Sequence, residues 1–192
     1  MAKGFFFDMT SCIGCKTCQI ACKDKNDLPI GTLFRNIVSY ETGDFPTPGV
    51  FHFSGSCNHC GNPACAAACP VGAMYRDEEE GVVLHDAELC DGCGNCVTAC
   101  PYAVPQMLEE KNVVGKCDSC VSIRKNGNPP QCVAACPMRA LDFGEMSDLM
   151  AKYPDAVSVA ELPFMPESET VPATLVLPKK LALEEEAQVI VI

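Results

Sequence analysis

The 192-residue sequence carries sixteen cysteines, no tryptophan and a formal net charge of −11. Apolar residues make up 48%, but that figure counts cysteine and overstates the oily core, so bound metal is expected to supply part of the folding free energy. The acidic balance argues against a nucleic-acid partner, and no apolar run reaches the roughly 18 residues of a membrane-spanning helix.

Residues 4–8 read as a short strand. A first cysteine run follows at Cys12, Cys15, Cys18 and Cys22, spaced C-x2-C-x2-C-x3-C. Gly14 inside it lets the backbone close on a metal group and aim N–H groups at sulfur. Residues 17–22 predict a short helix, and Lys23 stands where proline follows the last cysteine of the other runs. Residues 23–56 form a β insert, with strands over 33–40 and 50–53 around a Gly- and Pro-rich turn at 43–49. The second run is Cys57, Cys60, Cys65 and Cys69, followed by Pro70, with small alanines at 66–68 in a helical turn. Residues 74–86 give a hairpin signal. The third run, Cys90, Cys93, Cys96, Cys100 and Pro101, repeats the spacing of the first. The fourth is Cys117, Cys120, Cys132, Cys136 and Pro137, with an insert at 121–131 that reads as an exposed loop, where Arg124 and Lys125 would dock an acidic partner, sit near a metal group or, equally, belong to a plain loop. Residues 146–153 predict a helix ended by Pro154. Residues 154–192 are rich in proline and acid and read as a tail without a core of its own, its one strand-like patch being Thr174–Leu177. The apolar ending, 188–192, is far too short to cross a membrane.

The spacing C-x2-C-x2-C-x3-C-P is that of two-cluster ferredoxins: three cysteines of one run hold a [4Fe–4S] cubane and the fourth ligates its neighbour. Run, hairpin, run pairs the second with the third, leaving the first to pair with the fourth. The predicted ligand sets are Cys12, Cys15, Cys18 and Cys136; Cys57, Cys60, Cys65 and Cys100; Cys90, Cys93, Cys96 and Cys69; and Cys117, Cys120, Cys132 and Cys22. Structural zinc would favour pairs of C-x2–4-C knuckles; against it, the first and third runs each put four cysteines in eleven residues with a C-x3-C ending, three of the four runs end in Cys-Pro, and none has a histidine partner at zinc spacing. Disulfides fit neither the metal-ligand spacing nor a start without a secretory leader. His59 reads as an exposed loop residue, with a role in tuning a potential as the lesser reading, and His52 and His85, on strands, are expected on the surface or satisfied locally. Glu78, Glu79 and Glu80 read as a solvated turn.

The predicted fold is α+β: two nested bacterial-ferredoxin-like units with short helices and hairpins, and an extended C-terminal tail. Residues 1–22 with 102–145 make the outer unit, 57–101 the inner one, 23–56 the β insert, and 146–192 a tail that docks on a partner subunit. No nucleophile–base set, phosphate loop or dinucleotide fingerprint points to catalysis in this chain.

Over about residues 4–145, the four runs in this order resemble the iron–sulfur subunits of dimethyl sulfoxide reductase and related molybdopterin oxidoreductases. The resemblance is carried by residues 4–8, 15–18, 21–23, 57–60 (Cys-Asn-His-Cys) and 116–120 (Lys-Cys-Asp-Ser-Cys). Nitrate reductase relatives replace one cysteine of the third run; this chain keeps Cys93, so the resemblance implies four [4Fe–4S] clusters. It further implies a non-catalytic electron-transfer subunit that links a membrane quinol or quinone anchor to a large catalytic subunit with a molybdenum or tungsten bis-pterin centre. By the same resemblance the set containing Cys12 lies nearest the large subunit. The complex is expected at the membrane periphery, exported folded with a partner carrying a twin-arginine signal rather than kept in the cytoplasm. Alternatives are the corresponding subunit of a formate dehydrogenase, hydrogenase or polysulfide or thiosulfate reductase, or a free polyferredoxin.

Overall fold

The computed structural model describes residues 2–183 and 187–190; Val191 and Ile192, part of the apolar ending, lie outside them. In chain order the elements are β1 (Lys3–Asp8), α1 (Thr17–Lys25), β2 (Asn36–Thr42), β3 (Gly49–Gly55), α2 (Ala64–Ala67), β4 (Met74–Asp77), β5 (Val82–His85), α3 (Asn95–Ala99), β6 (Gln106–Leu108), β7 (Val113–Gly115), α4 (Val121–Arg124), α5 (Gln131–Ala134), β8 (Leu141–Glu145), α6 (Met146–Lys152), β9 (Val157–Ser158), β10 (Thr174–Leu177) and β11 (Gln188–Ile190). Mixed α and β content of this kind agrees with the predicted class.

β1 organises the largest sheet, whose order is β8-β1-β10-β9. Its three phenylalanines are all buried, because successive side chains leave a strand on opposite faces and both faces are covered here. Phe5 and Phe7 enter the main core with Met9, Phe53, Leu141 and Val176. Phe6 enters a smaller core with Leu149 and Leu175 and stacks on Tyr153 at 3.5 Å. β8 pairs with β1 antiparallel, Phe5 opposite Phe143, whereas β10 pairs with it in parallel, Phe6 opposite Leu175. The β2–β3 hairpin forms a second sheet with β11, and β4–β5 and β6–β7 are separate hairpins.

Three sequence expectations need correction. The tail has no separate core but is built into the main one: β10 lies between β1 and β9, and Val159, Leu162, Val176 and Ala182 are buried in the main cluster. Thr174–Leu177 is thus an inner strand of this chain's own sheet, and β11 adds to β2. Sequence alone offers no partner for that patch, because a parallel pairing across about 170 residues leaves no local signal. The second correction concerns β2, which begins at Asn36 rather than at 33. The backbone of Leu33 is paired instead with the Gln106 amide, which accepts from Leu33 N–H at 3.0 Å and donates to its carbonyl at 2.8 Å. The third is α1, which runs on to Lys25. Helices α2, α3 and α5 stop after four or five residues at a Cys-Pro, but Lys23 allows α1 to continue for nine.

α1 packs against α5 and α2 against α3. These contacts bring the first run beside the fourth and the second beside the third.

Candidate metal centre

All sixteen cysteines are free thiols. Cys12, Cys15, Cys18 and Cys136 line one cavity, walled otherwise mainly by apolar groups including Phe7, Ile37 and Leu141. Cys69, Cys90, Cys93 and Cys96 line a second with Met74, Val114 and His85. The other eight fall into two groups of electrostatic neighbours. Burial pushes Cys65 up to about 12 and Cys60 up to about 11, and in each case Cys57 and Cys100 push further. Burial likewise raises Cys22 to about 12, reinforced by Cys132 and Cys120. Cys117 is held well above the usual thiol range by burial and then by Cys22, Cys57 and Cys132. We refer to these groups as the Cys18, Cys96, Cys65 and Cys22 sets.

Local backbone geometry turns the sulfurs inward. Gly14 sits at φ +69°, and a Cβ there would lie 2.6 Å from the His52 ring, so the turn between Cys12 and Cys15 requires glycine. Two runs share a device that spacing did not reveal. In Cys90-Asp91-Gly92-Cys93 the Asp91 carboxylate accepts from the Cys93 N–H at 3.1 Å, and in Cys117-Asp118-Ser119-Cys120 the Asp118 carboxylate accepts from the Cys120 N–H at 2.8 Å. These Asx turns fix the corner between two thiols. Backbone N–H groups also point at sulfur: Met74 at Cys69, Ser119 at Cys117 and Ala140 at Cys136, at 3.3–3.4 Å. Such donors favour thiolate over thiol and tune a bound metal group.

His59 is not an exposed loop residue. It is fully buried, and its Nδ1 accepts from the Val83 N–H at 3.2 Å. That bond puts the ring proton on Nε2, which stands 3.9 Å from Cys117 Sγ and donates toward it. Burial first, then the nearby Lys116, holds the imidazole neutral, its pKa well below the usual range. Glu80 departs from the solvated-turn expectation, and Arg124 sits beside the fourth run rather than in a plain loop. The Arg124 guanidinium donates to the Ser119 carbonyl and hydroxyl, meets Glu80 at 3.1 Å and covers the Phe143 ring at 4.7 Å. The pair clasps the turn of the β4–β5 hairpin to the fourth run. His52 sits half-buried with Nδ1 2.9 Å from Ser39 Oγ, and Lys116 is buried with its ammonium on the carbonyls of Val83 and Cys117.

Thiols gathered this densely, most of them desolvated, cannot ionise together without bound positive charge. Four cysteines around one cavity, in runs of ferredoxin spacing, suit a body with several metal corners. His85 fits the same picture: it lines the cavity of the Cys96 set, and its Nε2 is buried with no hydrogen-bond partner among the described residues.

A family model described as a 4Fe-4S dicluster domain matches residues 49–146, and one described as a 4Fe-4S binding domain matches residues 9–25. The protein is 44% identical to the B chain of anaerobic dimethyl sulfoxide reductase from Haemophilus influenzae, over 93% of its own length and 90% of that relative. It is 46% identical to the B chain of the Escherichia coli reductase over 83% and 82%. To the B subunit of sulfite dehydrogenase from Allochromatium vinosum it is 34% identical over 90% and 81%.

This chain is a member of the iron–sulfur B-chain family of anaerobic dimethyl sulfoxide reductases.

As a B-chain family member it is a [4Fe–4S] protein, and its sixteen cysteines match the four thiolates of each of four clusters. Among the described residues, no helix of this B-chain relative is long and apolar enough to cross a membrane. Sequence reasoning missed Arg35 and Asp91 and gave no role to Lys116 or Asp118. The aspartates left a signal, the repeat of Asp directly after a cysteine; Arg35 left none.

Proposed function

We propose that this chain is the electron-transfer subunit of a dimethyl-sulfoxide-reductase-type respiratory complex, linking a membrane quinol or quinone anchor to a molybdenum or tungsten bis-pterin catalytic subunit. Each [4Fe–4S] cluster, when bound, takes up and releases one electron. The ligand sets are those read from the spacing: Cys12, Cys15, Cys18 and Cys136 for one cluster, Cys22, Cys117, Cys120 and Cys132 for a second, Cys57, Cys60, Cys65 and Cys100 for a third, and Cys69, Cys90, Cys93 and Cys96 for the fourth. Residues 1–22 with 102–145 would then form one ferredoxin-like unit and 57–101 the other.

The observation that carries this reading is the continuity of the thiol neighbourhoods. Cys18 neighbours Cys132, Cys117 neighbours both Cys22 and Cys57, and Cys65 shares a packed cluster with Cys69 and Cys96. The sets thus follow one another in the order Cys18, Cys22, Cys65, Cys96. The exposed cysteines, Cys15 and Cys93, belong to the two outer sets, where electrons would enter and leave. The set containing Cys15 would face the catalytic subunit. Exposed apolar side chains on the tail, Val171, Leu183 and Val189, are surface that a partner subunit would cover. Export of the folded chain with a partner bearing a twin-arginine signal would put the complex at the membrane periphery.

A second reading keeps the electron transfer and changes the catalytic partner, on the strength of the match to the B subunit of a sulfite dehydrogenase. Anaerobic purification of the tagged chain from its native host separates the two. A molybdopterin subunit with sulfoxide reductase activity and an anchor that reduces the clusters from quinol support the first. A catalytic subunit acting on another sulfur compound or on formate supports the second, and a chain purified without either subunit overturns both.

A further inference from the structure

Arg35 lies just before β2 and is only 2% exposed. Its Nη1 donates to the Ser54 carbonyl at 3.1 Å and the Ser54 hydroxyl at 2.9 Å, and its Nη2 to the Ser56 hydroxyl at 2.8 Å. Its guanidinium carbon stands 4.7 Å over the Phe5 ring. Every one of these partners is neutral, and among the described residues no carboxylate forms an ion pair with it. A buried cation without a counter-charge is strongly destabilising. The partners that become anionic beside it once metal displaces their protons are the sulfurs of two adjacent sets: Cys132, Cys117 and Cys22 from one, Cys18 from the other. A direct link exists as well. Because Ser54 Oγ accepts from Arg35, its own proton is free for Cys18 Sγ, 3.6 Å away.

We propose that Arg35 is the shared counter-cation of the clusters held by the Cys18 and Cys22 sets, and that it raises the reduction potential of both. A [4Fe–4S] core of charge 2+ with four thiolates is a dianion, and one-electron reduction makes it a trianion. A fixed positive charge stabilises the trianion more than the dianion, so it favours reduction. Guanidinium suits the position because it stays protonated even beside apolar groups, and its planar donors reach two serines while its face rests on an aromatic ring. Lys116 acts on Cys65 and on His85, which lines the cavity of the Cys96 set, and these two sets are expected to be little affected by Arg35.

The inference rests on the cluster assignment proposed above, and the two can fail separately. The experiment is a redox titration followed by electron paramagnetic resonance on the anaerobically purified complex, with iron counted first. Wild-type complex without four reducible clusters per chain overturns the assignment itself. Given four clusters, Arg35→Met is expected to lower two of the four potentials, each by at least about tenfold in the one-electron equilibrium, or about 59 mV, while Arg35→Lys retains most of both. Unmoved potentials in Arg35→Met, or equal shifts in Arg35→Met and Arg35→Lys, overturn the counter-cation role. If Arg35→Met fails to hold its iron, Arg35→Gln decides, since its amide can still donate to Ser54 while the charge is gone. A fall in the same two potentials supports the proposal, and unchanged potentials overturn it.

Discussion

Between Cys57 and Cys60, His59 occupies a position that in an isolated ferredoxin loop would face water. Here Phe5, Val83 and Cys117 close over it, and a buried ring must satisfy both nitrogens within the protein. Its place between two cysteine sets makes it a positioning residue for the fourth run. His59→Leu leaves the Val83 N–H buried without an acceptor and is expected to lower stability by about 1–3 kcal/mol, measured by denaturation of the anaerobic protein. His59→Asn, which can still accept, is expected to recover part of the loss. Equal stability of His59→Leu and wild type would show that the imidazole bonds are dispensable.

At the scale of elements, the third strand of the main sheet comes from the tail, and the tail's attachment is accordingly structural. Val176 on β10 is fully buried between neighbouring strands. Val176→Asp places an unpaired carboxylate there and is expected to cost more than about 3 kcal/mol, read as early thermal unfolding and as proteolytic cleavage after residue 150. Persistence of an uncut tail in that variant would contradict the strand's place. The join between β8 and α6 depends on Asp142, whose carboxylate accepts from Lys152 at 2.7 Å and from Tyr153 at 2.9 Å. Burial pushes the Asp142 pKa up, but the bonds from Lys152, Tyr153 and the Phe143 N–H outweigh it, and the net direction is down. A lowered folded-state pKa stabilises above the unfolded value and is lost as pH falls through the folded one. Asp142→Asn is therefore expected to lose about 0.5–1 kcal/mol at pH 7, a modest figure because Lys152 is largely exposed and screened. The gap between the two proteins should close below about pH 4; a gap constant from pH 7 to pH 3 would assign the loss to packing.

Across the whole molecule, a chain of net charge −11 keeps Arg35, Lys116 and Arg124 turned inward among sulfurs and carbonyls. Four loaded clusters require about sixteen iron atoms per chain. In the metal-free chain the Cys22 and Cys65 thiols lie near 12 and Cys60 near 11, so assembly must release their protons. Iron loading should accordingly be accompanied by proton release and weaken as pH falls. Iron retention followed from pH 8 to pH 5 is the check, and retention independent of pH across that range would mean the thiols are already ionised in the apo chain.

Sequence by itself determined the metal chemistry. Ligand type, number and spacing are local, because a C-x2-C-x2-C loop needs only a few residues to present its thiols, and the same holds for the β4–β5 hairpin and for the prolines that shorten α2, α3 and α5. The tertiary structure alone decided what is remote along the chain. It inserted β10 beside β1, buried His59 under Phe5, joined Glu80 to Arg124, and left Arg35 among the sulfurs of two sets. Each of those outcomes is set by which distant surface arrives to exclude water, and no window of neighbouring residues encodes that arrival.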